Sequence, residues 1–106
     1  MFDREETCAI CGYVSHLGAV TRHHIIPQSV TQEAGVLDSA MANLCLNCRH
    51  ELQVWYQARV VDTTYDTAAK QFRERSWAEK ARDYDSAFNS FKEYRGEQER
   101  AARRRR

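Results

Sequence analysis

Two Cys-x-x-Cys pairs, Cys8/Cys11 and Cys45/Cys48, and two adjacent histidines, His23 and His24, carry most of the chemical capacity of this chain. A Cys-x-x-Cys turn offers two sulfurs to one side of a metal ion, and two such turns complete a tetrahedral Zn²⁺ site. A redox dithiol, or four plain buried thiols, is the competing use of the same residues. Four thiolates satisfy one zinc, so the imidazoles are left for other work. Imidazole titrates near neutral pH, so it can take a proton from water or ligate an ion.

The elements that must position these groups follow from local pattern. In Arg22-His23-His24-Ile25-Ile26-Pro27 the β-branched residues favour extended backbone, and Pro27 ends the strand. The strand is expected over Ala19 to Ile26. Successive side chains alternate in face, so His23 and His24 serve different parts of one small site. Residues 1–7 read as a polar lead-in, and Gly12 supplies the left-handed turn of the first cysteine knuckle. A short extended piece is expected over Tyr13 to Leu17, with His16 an ordinary turn residue and the reversal at Gly18. Pro27 to Ala42 reads as a polar loop with a short helical turn near Gln32 to Ala34 or Ala40 to Ala42.

From Asn47 the period becomes helical, with Leu52, Trp55, Tyr56 and Arg59 on one face. This helix starts at the second cysteine pair and runs to about Arg59. Tyr65, Ala68, Ala69 and Phe72 predict a further helix over Thr64 to Arg75, capped by Asp62, Thr63 or Thr64. After Ser76, the residues Trp77, Ala81, Tyr84, Phe88 and Phe91 form a long apolar stripe. Such a stripe packs on the rest of the chain or on a second copy of itself, which leaves a homodimer through the C-terminal helices open.

At 106 residues the chain is one small domain, a size at which one core is marginal and a structural Zn²⁺ adds needed folding energy. The start is polar, with no secretory apolar region, and no apolar run reaches membrane-spanning length. No membrane partner and a reducing cytoplasmic setting are therefore expected. The formal net charge of +1 is uninformative, yet Lys92 to Arg106 carries seven basic residues against three acidic ones. A tail ending in Arg103, Arg104, Arg105 and Arg106 suits a polyanion; the alternative is a solvated terminus.

Taken together, Cys8-x-x-Cys11, His23-His24-Ile25-Ile26-Pro27, Asn43-Leu44 and Cys45-x-x-Cys48 followed by His50 resemble the HNH endonuclease family in its four-cysteine, zinc-bearing form. The resemblance covers roughly residues 8–59. It implies an α+β fold, with a small ββα-metal (treble-clef-like) zinc-stabilised unit over 1–60. A helical extension with a basic tail over 61–106 is expected to pack on the same domain. It also implies phosphodiester hydrolysis on DNA, with His24 as general base and His23 holding a catalytic ion. Asn43 would orient His24, and His50 would be a second ligand of the ion, Mg²⁺ or Mn²⁺. Arg22, Arg49 and the terminal arginines would contact phosphates. The setting implied is the cytoplasm of a bacterial or phage-infected cell. A non-catalytic treble-clef zinc module that binds DNA or a protein is the rival reading.

This chain departs from the family pattern twice. Only Leu44 separates Asn43 from Cys45, and Arg49 stands directly after the last cysteine, where a metal-binding histidine is usual. Either the turn is shortened and the helix rotated, or Asn47 takes over one of these roles.

Overall fold

The computed structural model describes residues 6–15, 18–36 and 40–104. Its elements are β1 (Glu6–Thr7), β2 (Val14–Ser15), β3 (Val20–His24), α1 (Gln28–Ala34), β4 (Met41–Cys45), α2 (Leu46–Arg59), β5 (Thr63–Asp66), β6 (Gln71–Glu74) and α3 (Trp77–Arg104). The strands pair antiparallel as β1–β2, β3–β4 and β5–β6. The fold is thus mixed, with small antiparallel sheets, three described helices and a four-cysteine cluster.

The first knuckle is the loop of the β1–β2 hairpin, so residues 6 and 7 are strand rather than free lead-in. The Cys8 amide donates to the Tyr13 carbonyl at 2.8 Å and the Gly12 amide to the Cys8 carbonyl at 3.1 Å. Gly12 has φ +78°, the left-handed conformation this turn requires. His16 and Leu17 lie outside the described residues.

β3 ends two residues earlier than expected, at His24. Pro27 is the reason, acting as a helix start as well as a strand stop. Its φ of −53° is preset for a helix, and its carbonyl accepts from the Val30 and Thr31 amides. The expected loop after Pro27 is therefore a full short helix, closed by Gly35 at φ +73°. Met41 and Ala42, expected in that loop, belong to β4.

α2 begins where the cysteine spacing predicts. Cys45 is its N-cap, and its sulfur accepts the Cys48 amide at 3.5 Å. The helix over Thr64 to Arg75 does not form; β5 and β6 make a hairpin there. Thr63, Thr64 and Tyr65 favour extended backbone, and the Asp66 carboxylate closes the turn by accepting the Ala68 and Ala69 amides at 2.9 and 3.1 Å. Among the described residues of 61–106, the helical part is Trp77–Arg104.

Ser76 caps α3. The Glu79 amide donates to Ser76 Oγ at 3.1 Å, and the Ser76 amide donates back to Glu79 Oε1 at 3.0 Å. Phe88 and Phe91 join Cys8, Val20, Leu44, Cys45, Cys48 and Leu52 in one core. The extension therefore shares its core with the cysteine-bearing half. No described helix is long and apolar enough to cross a membrane.

Candidate functional site

Cys8 and Cys11 come from the first hairpin loop, Cys45 from the end of β4 and Cys48 from the first turn of α2. Their four sulfurs lie within 4.8 Å of one another, and Cys11 Sγ is 3.7 Å from Cys45 Sγ. Two sulfurs on a tetrahedral zinc with bonds of ~2.3 Å stand ~3.8 Å apart, so the donor set and spacing fit Zn²⁺. None of the four is in a disulfide. Burial pushes the Cys8 thiol up, yet backbone hydrogen bonds from Cys11, Cys45 and Ile10 outweigh it and bring it down to about 7. Burial and the neighbouring sulfurs push Cys48 the other way. Four packed thiols cannot all ionise without a cation between them, a charge that Zn²⁺ would supply.

β3 and β4 pair Arg22 with Asn43, His23 with Ala42 and His24 with Met41. Directly paired residues share a face, so Arg22, His24, Met41 and Asn43 lie on one side. Thr21, His23, Ala42 and Leu44 lie on the other, the side that packs toward α2. The two imidazoles therefore look to opposite faces, as alternation predicts. A hydrogen bond joins Thr21 Oγ1 and His23 Nε2. Burial, and secondarily the Arg49 guanidinium, hold His23 below the ordinary imidazole range. His24 is half-buried, and its Nδ1 is buried with no hydrogen-bond partner among the described residues.

Asn43 is on the His24 face, but its side chain is turned to the N-terminal arm. Its Nδ2 donates to Glu6 Oε2 at 3.3 Å, while its carbonyl accepts the Ala9 amide at 2.8 Å. Glu6, Arg22, Met41 and Asn43 line a cleft of ≈ 390 Å³ floored by Val20. Asn47 is elsewhere, at the sulfur end beside Leu46 and Arg95.

His50 is exposed and lines a groove with Val54, Ala58 and, from α3, Tyr94. At ~100° per residue it projects ~180° from the mean direction of the core-facing Cys48 and Leu52. The fold therefore does not bring His50 to His23; the α2 side chain whose charge reaches His23 is Arg49. An ion-binding pair of His23 and His50 does not fit this arrangement. Among the described residues, the four cysteines are the one group of three or more metal-ligating side chains drawn together.

Arg22 and Arg49 are exposed on opposite sides of the histidine strand. In the tail, Arg100 pairs with Glu97 and Arg103 with Glu99, which neutralises part of its charge. Arg104 is exposed at the end of α3, and Arg105 and Arg106 lie outside the described residues.

Sequence reasoning missed Glu6 and Tyr56. The Tyr56 hydroxyl donates to the Ile25 carbonyl at 2.8 Å, just past the histidines. The available signal was a tyrosine at a core-facing helical position, whose hydroxyl needs a buried acceptor. No protein-family model, curated protein or solved structure matches this chain.

Proposed function

We propose that this chain is a zinc-stabilised HNH-type endonuclease that hydrolyses DNA phosphodiester bonds, with His24 as the general base. The observation that carries this reading is the state of His24. A buried histidine kept for packing is hydrogen-bonded, whereas His24 Nδ1 is buried and has no described partner. On the same face lie Met41, Asn43, whose amide is held by Glu6, and the guanidinium of Arg22, the group there suited to phosphate oxygens. The cysteine half of the fold belongs to this reading as a ββα, treble-clef-like zinc scaffold. In it the sulfurs are architectural and the histidine strand is left to act on substrate.

His24 takes the proton of the attacking water, and Arg22, on the same face, draws the phosphate to it. His23 is held by Thr21 and kept neutral by burial and Arg49, which leaves it a competent nitrogen ligand. For the Mg²⁺ or Mn²⁺ of the family, His23 would be the one imidazole ligand, with Arg49 near it. Such an ion would supply Lewis-acid stabilisation of the phosphate, with substrate oxygens and water filling its sphere. The exposed arginines of the α3 terminus add salt-dependent grip on DNA.

The test is plasmid cleavage in Mg²⁺ or Mn²⁺ by the wild type and by His24→Ala, His23→Ala and His50→Ala. The expected result is loss of ~10²-fold or more for His24→Ala. His23→Ala loses activity too, and His50→Ala stays near wild type. Zinc content should not change in any of them. Absence of cleavage by the wild type under all these conditions overturns the reading.

One observation favours a non-catalytic zinc module instead. Arg49 stands beside His23 where a second metal ligand is expected, so the site has the cations to bind a phosphate backbone without cutting it. That alternative predicts DNA binding that survives His24→Ala and cleavage by neither protein.

A further inference from the structure

We propose that Tyr56 is a positioning residue for His24, acting through the peptide that follows it; this rests on the reading of His24 as general base. The β3–β4 ladder ends at the His24–Met41 pair, and the chain must then turn through Ile25 and Ile26 into Pro27. A strand end of this kind is where an imidazole loses its fixed direction. Here the next residue is held by both of its backbone groups, the amide of the His24–Ile25 peptide and the carbonyl of the Ile25–Ile26 peptide. The Ile25 amide donates to the Ala40 carbonyl at 3.0 Å, and the Ile25 carbonyl accepts the Tyr56 hydroxyl at 2.8 Å.

The two contacts differ in what they tie together. Ala40 precedes β4, so its bond continues the sheet. Tyr56 belongs to α2, the helix that also carries Cys48, so its bond joins the histidine strand to the metal-bearing helix across 31 residues of sequence. The phenol is itself braced. Its ring meets Tyr84 of α3 edge-on, with centroids 4.9 Å apart at 83°. Burial, with Tyr84 and Asp85 adding to it, raises the Tyr56 phenol above its ordinary range, so it remains a donor at any working pH. The C-terminal helix thereby acts on the site through one contact chain, Tyr84 to Tyr56 to the Ile25 carbonyl, with His24 next along the backbone.

The experiment compares wild type with Tyr56→Phe, which removes one oxygen and keeps the ring. Two readings are taken on the full zinc-loaded chain: kcat and KM for plasmid cleavage, and the ring Cε1–H cross-peak of His24 by NMR at one pH without added Mg²⁺ or Mn²⁺. The expected result is a fall in kcat of about tenfold or more at nearly constant KM, because small misplacement of a reacting group is costly. The His24 cross-peak should shift or broaden while far-UV circular dichroism is preserved. An unchanged His24 cross-peak with unchanged kcat overturns the proposal. If wild type does not cut DNA, the nuclease reading fails, and the cross-peak alone decides whether Tyr56 orients the imidazole. Should Tyr56→Phe not fold, Tyr84→Leu keeps the hydroxyl and removes its brace. The same cross-peak must then move, and its failure to move counts against the proposal.

Discussion

Cys11 Sγ stands 3.7 Å from Cys45 Sγ, one sulfur from the first hairpin loop and the other from the end of β4, where α2 begins. An ion held between the sulfurs would tie that hairpin to the start of the helix. Chelation of the metal should therefore unfold the cysteine half rather than merely expose it, since structural zinc supplies ~10 kcal/mol or more in small domains. One zinc per chain by elemental analysis, and loss of helical circular dichroism with a strong chelator, are the expected outcomes. Cys48→Ser should lose both the zinc and the helical signal in the absence of chelator.

Arg49 and His23 make the second test. Burial and the guanidinium both disfavour the imidazolium, so Arg49→Gln should raise the pH at which His23 protonates, leaving the burial effect in place. The sign for stability follows from the depressed folded value. The unfolded chain binds the proton more readily, so stability falls as pH drops below the ordinary imidazole range, and falls less steeply in Arg49→Gln. NMR titration of His23 without added divalent ion and urea midpoints at two pH values check this.

Phe91 is 1 % exposed and packs in the same core as Cys8, Cys48 and Leu52, with Trp55 edge-on at 5.6 Å. Phe91→Ala should cost ~3–5 kcal/mol, read from urea or thermal unfolding. Because the core is shared, the loss should appear as a single transition that includes the zinc half. Two separate transitions would show that α3 folds as its own unit.

At the start of α3, Arg73 and secondarily the Ser76 amide hold the Glu79 carboxyl well below the ordinary glutamate range. Its contribution is complete above that range and is lost as pH falls through it. Glu79→Gln should lower stability at neutral pH and so flatten the acid limb, with the two proteins converging at low pH. Ser76→Ala removes the other half of the capping box and should cost ~1 kcal/mol at neutral pH. Thermal melts at several pH values measure both.

What could be read from the chain was set by short-range spacing. Two Cys-x-x-Cys turns specify a metal site because each turn presents both sulfurs whatever lies between the pairs. The start of α2 at the second pair, the Ser76 cap and the burial of Phe88 and Phe91 follow from periods and offsets of a few residues. The same kind of reading failed for Thr64 to Arg75. Tyr65, Ala68, Ala69 and Phe72 have helical spacing, yet nothing in the fold covers such a face. Phe72 is 71 % exposed, and the turn made by Asp66 with the β-branched run prevailed.

The sequence by itself determined that four sulfurs could form one metal site, that two imidazoles sit on one strand, and that alternation sends them to opposite faces. Only the tertiary structure decided what these side chains meet: Thr21 and Arg49 for His23, no described partner for His24 Nδ1, and Glu6 for Asn43. It also decided that Arg49, not His50, turns toward the histidine strand, and that Tyr56 holds the Ile25 carbonyl. The reason is physical. Strand alternation and cysteine turns are fixed by backbone geometry within a few residues. Contacts between residues tens of positions apart depend on how α2 and α3 pack over the strand pair.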